Sequence, residues 1–229
     1  MTDLTDFDLA RANMIKQQIR TWVTLDQDVL DLLSAVRREE FVPLAQKALA
    51  FADFRIPLLQ PAEDALQQGQ CMLEPKIEAR VLQELHLKPH DKVLEVGAGS
   101  GYMAALLAQR AQRVISLELQ PDLVTMARAN LQRAGITNVE VRKADGAKGL
   151  AGEGPFDAIV LSGSVAEVPP VLLSQLKIGG RLSAIVGFEP VMRATLITRT
   201  GETTYTTTQP WDTVAPRLRH FPEPARFQF

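Results

Sequence analysis

The run Val93-Leu-Glu-Val-Gly-Ala-Gly-Ser-Gly-Tyr102 decides the fold. "KVLEVG" (92–97) is short, apolar and β-branched, which predicts a buried strand. "YMAALLAQR" (102–110) follows as a helix. Between them stand Gly97, Gly99 and Gly101, a G-x-G-x-G turn in which the backbone bends tightly and approaches a ligand closely. A dinucleotide loop carries a further glycine or alanine where this chain has Tyr102, so the pattern argues against NAD.

Strand and helix keep alternating downstream. "RVISLEL" (113–119), "NVEVRKAD" (138–145), "FDAIVLSG" (156–163) and "RLSAIVG" (181–187) read as strands. "PDLVTMARANLQRAG" (121–135) is a helix with proline at its start and Gly135 past its end. "PPVLLSQLKIGG" (169–180) reads as a short helix and turn. This alternation predicts a mostly parallel sheet covered by helices on both faces. Glu118 closes the second strand about 20 residues past the glycine turn, where an acid binds both hydroxyls of a ribose. Asp145 closes the third, in reach of an adenine amino group. A ribose acid and an adenine acid without a pyrophosphate loop fit adenosine, and S-adenosylmethionine is such a ligand.

The two flanks read differently. In residues 1–80, Leu9, Ala12, Ile15, Ile19 and Trp22 follow helical spacing. A second helix with Asp26 as N-cap carries Val29, Leu30, Leu33 and Val36. The stretch 51–69, with Pro57 and Pro61, reads as loop or short strand. The expected organisation is an N-terminal helical cap, 1–80, in one globular unit with a cofactor-binding domain, 81–229. "VMRATLITRT" and "ETTYTTTQ" predict a C-terminal antiparallel hairpin about Thr200–Gly201. The tail "PRLRHFPEPARFQF" is broken by prolines.

The 229 residues are 46% hydrophobic with a formal net charge of -2. That balance gives no global attraction to nucleic acid, and no nucleic-acid partner is expected. The single cysteine, Cys71, excludes an internal disulfide and suits a reducing compartment. "MTDLTDFDLA" has no apolar run of the signal-peptide kind, and nothing reaches membrane-spanning length. A cytoplasmic protein without membrane partners is the expectation. His86, His90 and His220 are scattered, so no metal site is expected. Oligomeric state is not readable from the sequence.

The ordered set "VLEVGAGSGY", "SLELQPDL", "ADG", "FDAIVLSG" and "LKIGGRL" resembles the motif series of class I methyltransferases. "MIKQQIR" (14–20), "REEFVP" (38–43) and residues 69–79 narrow the resemblance to the protein-L-isoaspartate O-methyltransferase family. The resemblance spans about 14–187. It implies a Rossmann-like α/β fold, S-adenosylmethionine as cofactor, and carboxyl methylation of isoaspartyl residues in damaged proteins or peptides. Carried over, Glu95, Gly97, Ala98, Gly99, Ser100 and Gly101 surround the methionine part. Glu118 and Leu119 hold the ribose, and Asp145 and Gly146 flank the adenine; Ser162 is counted with the cofactor-binding residues and, like Ser164, follows the fourth strand, where acceptors bind in many such enzymes or a turn residue stands.

One loop departs from the family. Its usual form is Gly-Gln-Thr-Ile-Ser, one residue, then Pro; here "GQCMLEP" (69–75) puts Cys71 at the threonine and Leu73 at the serine treated as the active-site residue. Cys71 and Lys76 are the remaining loop candidates, the first as a reactive thiol or a small buried side chain, the second as an anion site or a solvated lysine. Ser164, and Arg217, Arg219 and His220 if the tail folds back, complete the candidates for the acceptor pocket. A small-molecule acceptor and a non-catalytic cofactor-binding module stand as alternatives to isoaspartyl methylation.

Overall fold

The computed structural model describes residues 6–22 and 26–224. The first five residues, 23–25, the last five of the tail and the Trp22 side chain lie outside them. The N-terminal part holds α1 (Asp6–Asn13), a π-helical turn (Met14–Ile19), α2 (Arg20–Trp22) and α3 (Gln27–Ala35). After two 3-10 turns come β1 (Ile56–Pro57), α4 (Ala62–Gln67), β2 (Cys71–Met72) and α5 (Pro75–Leu85). Then β3 (Lys92–Val96), α6 (Tyr102–Ala108), β4 (Arg113–Glu118), α7 (Pro121–Arg133), β5 (Val139–Lys143), β6 (Phe156–Val165) and α8 (Pro170–Leu173) alternate. The chain finishes its regular structure with β7 (Leu176–Phe188), β8 (Val191–Arg199) and β9 (Tyr205–Thr213).

The main sheet has seven strands in the order β5-β4-β3-β6-β7-β8-β9. Pairings from β5 to β7 are parallel, and β8 and β9 extend the same sheet antiparallel. The chain moves outward from β3 through β4 to β5, then returns to the other side of β3 with β6. That reversal leaves a crevice at the carboxyl ends of β3 and β6, where open α/β sheets bind ligands. The glycine turn ends β3 in that crevice. Val93 and Leu94 are fully buried, as a central strand requires.

Several expectations shift in detail. Asp26 precedes α3 in extended conformation, but its side chain makes no capping bond; its N–H meets Gln83 Oε1 at 2.8 Å instead. The stretch 51–69 contains α4 as well as a short strand, and β1 pairs antiparallel with β2. β7 begins five residues before "RLSAIVG", through Gly179 and Gly180, with a register shift against β6 between Phe156 and Ala158.

The cap is tied to the sheet by polar groups that must be satisfied once buried. Arg38, fully buried, donates to Ala50 O (2.9 Å), to the Glu78 carboxylate and to Leu73 O. Tyr102 meets Phe41 edge-on with centroids 5.5 Å apart, and Arg38 lies over the Tyr102 ring. The bulk at Tyr102 thus anchors the cap. Asn130 of α7 donates to Ser100 O at 2.9 Å and to Phe41 O at 3.4 Å, joining cap and glycine turn.

Candidate cofactor and acceptor site

Two adjoining cavities open at the end of β3. One, about 40 Å³, is walled by Glu95, Gly97 to Ser100, Tyr102 and Ser162, and on the facing side by Cys71, Leu73, Ile77 and Glu78. The other, about 90 Å³, runs along Gly97, Gly99, Glu118, Leu119, Asp145 and Gly146, under Gln70 and Leu218. The residues expected around a cofactor therefore converge, except Gly101. It lines neither cavity: at φ +85°, its Cα side lies against the Ala127 backbone, where a Cβ would come within 3.2 Å, and it serves the close approach of α6 to α7.

Glu95 is fully buried and, among the described residues, has no cation beside it. Its oxygens accept from Ser116 Oγ (2.5 Å) and Ser162 Oγ (2.8 Å). Burial pushes its carboxyl up to about 7, the two hydroxyls offsetting part of the rise. Glu118 is held in place by backbone donors: Gly99 N at 2.9 Å on one oxygen, Leu119 N (2.8 Å) and Gln120 N (2.9 Å) on the other. The oxygen that accepts from Gly99 N keeps a further lone pair for the crevice, whereas the other is filled by its two backbone donors. Asp145 accepts from Ala147 N at 3.0 Å and meets His220 Nδ1 at 2.7 Å. Burial raises its pKa somewhat, but those two partners hold it below the usual aspartate range. At Gly146 any Cβ would lie 2.2 Å from Val96, so the backbone there presses flat on the sheet.

On the facing side, Leu73 is 9% exposed and packs in an apolar cluster with Ile77, Ile185, Met192 and Ala215. Cys71 is half-buried, and burial pushes its thiol up to about 11, which makes it a poor thiolate. Lys76 lines neither cavity; its ammonium lies 2.8 Å from Asp53. Ser164 is buried, and among the described residues its hydroxyl has no partner.

The tail does fold back, but to the Asp145 end of the crevice. Pro216 to Leu218 runs beside β6, with Ser164 N to Pro216 O at 2.7 Å and Leu218 N to Ser164 O at 2.8 Å. Arg219 reaches Gln68 at 3.0 Å, and Leu218 lies over Gly97 and Gly163. Arg217, Leu218 and Arg219 line the larger cavity, so the strap narrows the crevice at its Asp145 end.

Sequence reading missed Glu78, and it considered a folded-back tail only for the acceptor pocket, not for the Asp145 end where it lies. Glu78 shares a helix face with Leu82 and Leu85, all buried, so an acid on the apolar stripe was its signal. Burial pushes Glu78 up to about 7, with Arg38 opposing. Among the described residues, no cluster of His, Cys, Asp and Glu could hold a metal, and no helix is long and apolar enough to cross a membrane.

The donor set suits S-adenosylmethionine. A buried carboxyl lacking a cation fits its ammonium, and a braced carboxylate at the end of β4 fits its ribose. Fold and site define a class I S-adenosylmethionine-dependent methyltransferase. The family described as protein-L-isoaspartate(D-aspartate) O-methyltransferase matches residues 9–213, and the chain belongs to that family. It is 40% identical over 197 residues to the protein-L-isoaspartate O-methyltransferase of Koribacter versatilis, covering 86% of this chain and 85% of that one. The enzyme of the same name from Methanoculleus marisnigri is 41% identical over 177 residues, 77% of each chain. A Plasmodium falciparum structure titled as a putative protein-L-isoaspartate O-methyltransferase, in complex with S-adenosyl-L-homocysteine, shares the fold with a TM-score of 0.74 at 21% identity, covering 94% of this chain and 99% of that one.

Proposed function

We propose that this chain methylates the free carboxylate of isoaspartyl residues in proteins and peptides. The observation that carries the reading is the chamber between the glycine turn and the loop 71–73, in a chain of this family. Glu95 receives the cofactor's ammonium, with Ala98, Gly99 and Ser100 around the methionine part. Glu118 and the Leu119 backbone hold the ribose, and Asp145 and Gly146 border the adenine. Ser162 fixes the Glu95 carboxyl. Residues 1–80 act as the cap that closes the acceptor side, in one unit with 81–229.

When bound, the cofactor supplies a methyl group on a sulfonium. A carboxylate acceptor is ionised at neutral pH and needs no general base. The protein's work is alignment and exclusion of water, which the apolar wall of Leu73, Ile77 and Ile185 provides. A protein acceptor and a lone, poorly ionised cysteine fit a reducing cytoplasmic setting.

The test is methyl transfer from labelled S-adenosylmethionine to an isoaspartyl peptide beside its aspartyl twin. Base-labile label on the isoaspartyl peptide alone is the expected result. No label, with cofactor binding measured in the same sample, would remove the reading. A second reading, a small apolar acceptor, is favoured by Leu73, which offers no hydroxyl where the family carries one; label appearing in a metabolite extract and in neither peptide would select it.

A further inference from the structure

On the other side of Leu73 a separate pocket of about 290 Å³ opens between the start of α5 and the end of β9, walled by Arg55, Glu74, Lys76, Arg80 and Trp211. Trp211 packs on the apolar cluster that contains Leu73, so this pocket lies one side-chain layer from the acceptor chamber. Leu73 lines the chamber and Glu74, the next residue, lines the pocket.

Arg80 is poised for a ligand. Its guanidinium stacks on Trp211, 4.4 Å from the ring centroid, and the ring is fixed by Nε1 donating to Glu84 Oε1 at 2.6 Å. Among the described residues, Arg80 makes no hydrogen bond; its contacts are the Trp211 ring and the charge of Glu84. A partly exposed guanidinium held flat on a ring, with no hydrogen bond to the described residues, leaves its donors free for a carboxylate in a planar, two-point contact. The pocket also holds the opposite deficit. Among the described residues, Glu74 Oε2 is buried without a partner, while Oε1 lies 3.8 Å from Arg55. That oxygen needs an N–H. The remaining charges are engaged: Lys76 with Asp53, and Asp212 with Arg193 at 3.4 Å.

A free anion would satisfy Arg80 and leave Glu74 worse off. A peptide satisfies both, giving a side-chain carboxylate to one and a backbone N–H to the other. We propose that this pocket is a peptide subsite that selects acceptor polypeptides carrying an acidic residue within a few positions of the methylated one. The proposal rests on the protein-acceptor reading above. Leu73 and Glu74 are neighbours in the chain, so the two cavities lie close enough for one short extended peptide, which advances roughly 3.3–3.6 Å per residue, to reach from one to the other.

The test uses isoaspartyl peptides that differ at one position at a time, Glu against Gln, across three places on each side of the isoaspartate. At one place Glu lowers KM about tenfold or more relative to Gln, as a charge-assisted bond to arginine implies. The discrimination vanishes in Arg80→Gln and is partly kept in Arg80→Lys, with the melting temperature of each variant confirming that it is folded. Equal KM for Glu and Gln at every place, or discrimination that survives Arg80→Gln, would overturn the subsite alone. Absence of label from every isoaspartyl peptide would overturn the acceptor reading and the subsite with it.

Discussion

Restoring the family's serine at position 73 is the substitution that most directly separates a lost hydroxyl from a rebuilt pocket wall. If the loop were only short of a hydroxyl, Leu73→Ser would return a positioning hydrogen bond of about 1–3 kcal/mol, and turnover would rise about 5- to 150-fold. The packing predicts otherwise. Leu73 is 9% exposed among Ile77, Ile185, Met192 and Ala215, and its carbonyl is gripped by Arg38. The backbone is pinned, so a serine side chain inherits the apolar cluster. Buried Leu→Ala changes cost about 2–5 kcal/mol, and a hydroxyl adds its own desolvation. Leu73 also borders the chamber, where water can reach the new hydroxyl, so the lower part of that range applies: about 2–3 kcal/mol. For a chain of this size that lowers Tm by about 4–12 °C. Urea unfolding without cofactor, with the slope checked for constancy, measures the loss, and initial rates on an isoaspartyl peptide measure the gain. Stability unchanged within about 0.5 kcal/mol, together with a rate increase of tenfold or more, would refute the reasoning.

Cofactor affinity should fall as pH drops through about 7, because the Glu95 carboxyl is pushed up to about 7 by burial and is neutral below that, whereas an ammonium needs it ionised. Titration with S-adenosylhomocysteine from pH 5.5 to 8.5 measures this, and Glu95→Gln should bind more weakly and flatten the profile; an unchanged profile in the variant would assign the titration elsewhere, Glu78 first. His220→Ala removes the 2.7 Å contact that pins the strap to Asp145, so cofactor release, read by stopped flow, should quicken. Both side chains are about half exposed, so stability should change by less than about 1 kcal/mol. Gly99→Val sets a β-branched residue at φ +53°, where the turn also donates Gly99 N to Glu118; calorimetry should find no measurable cofactor binding, and wild-type affinity would displace the site from this turn.

What the sequence made legible was local or periodic. The glycine turn, the buried β3 and the acids closing β4 and β5 are written in adjacent residues, and strand–helix alternation placed them on one edge of the sheet. α4 was hidden because Ala62–Gln67 is a six-residue helix after a proline, too short to display a period. The first part of β7 was hidden because Lys177, Ile178 and Gly179 are exposed and break the apolar run that marks a covered strand. The least legible features join distant positions. Arg38 meets Glu78 across 40 residues, and His220 meets Asp145 across 75. No spacing rule links such pairs, but the first leaves a trace that physics can read: a charged residue on an apolar helix face needs a buried partner. Applied to α5, that rule marks Glu78 before any fold is known, and with it the brace that fixes the Leu73 backbone. The departure at Leu73 is therefore coupled to its surroundings. A leucine there requires an apolar wall on β7 and β8, which Ile185 and Met192 supply. Recovering a serine-type loop takes changes at those positions together, so a Leu73→Ser, Met192→Thr pair should recover more stability than the single changes add up to, and near-additivity would argue that position 73 drifted alone.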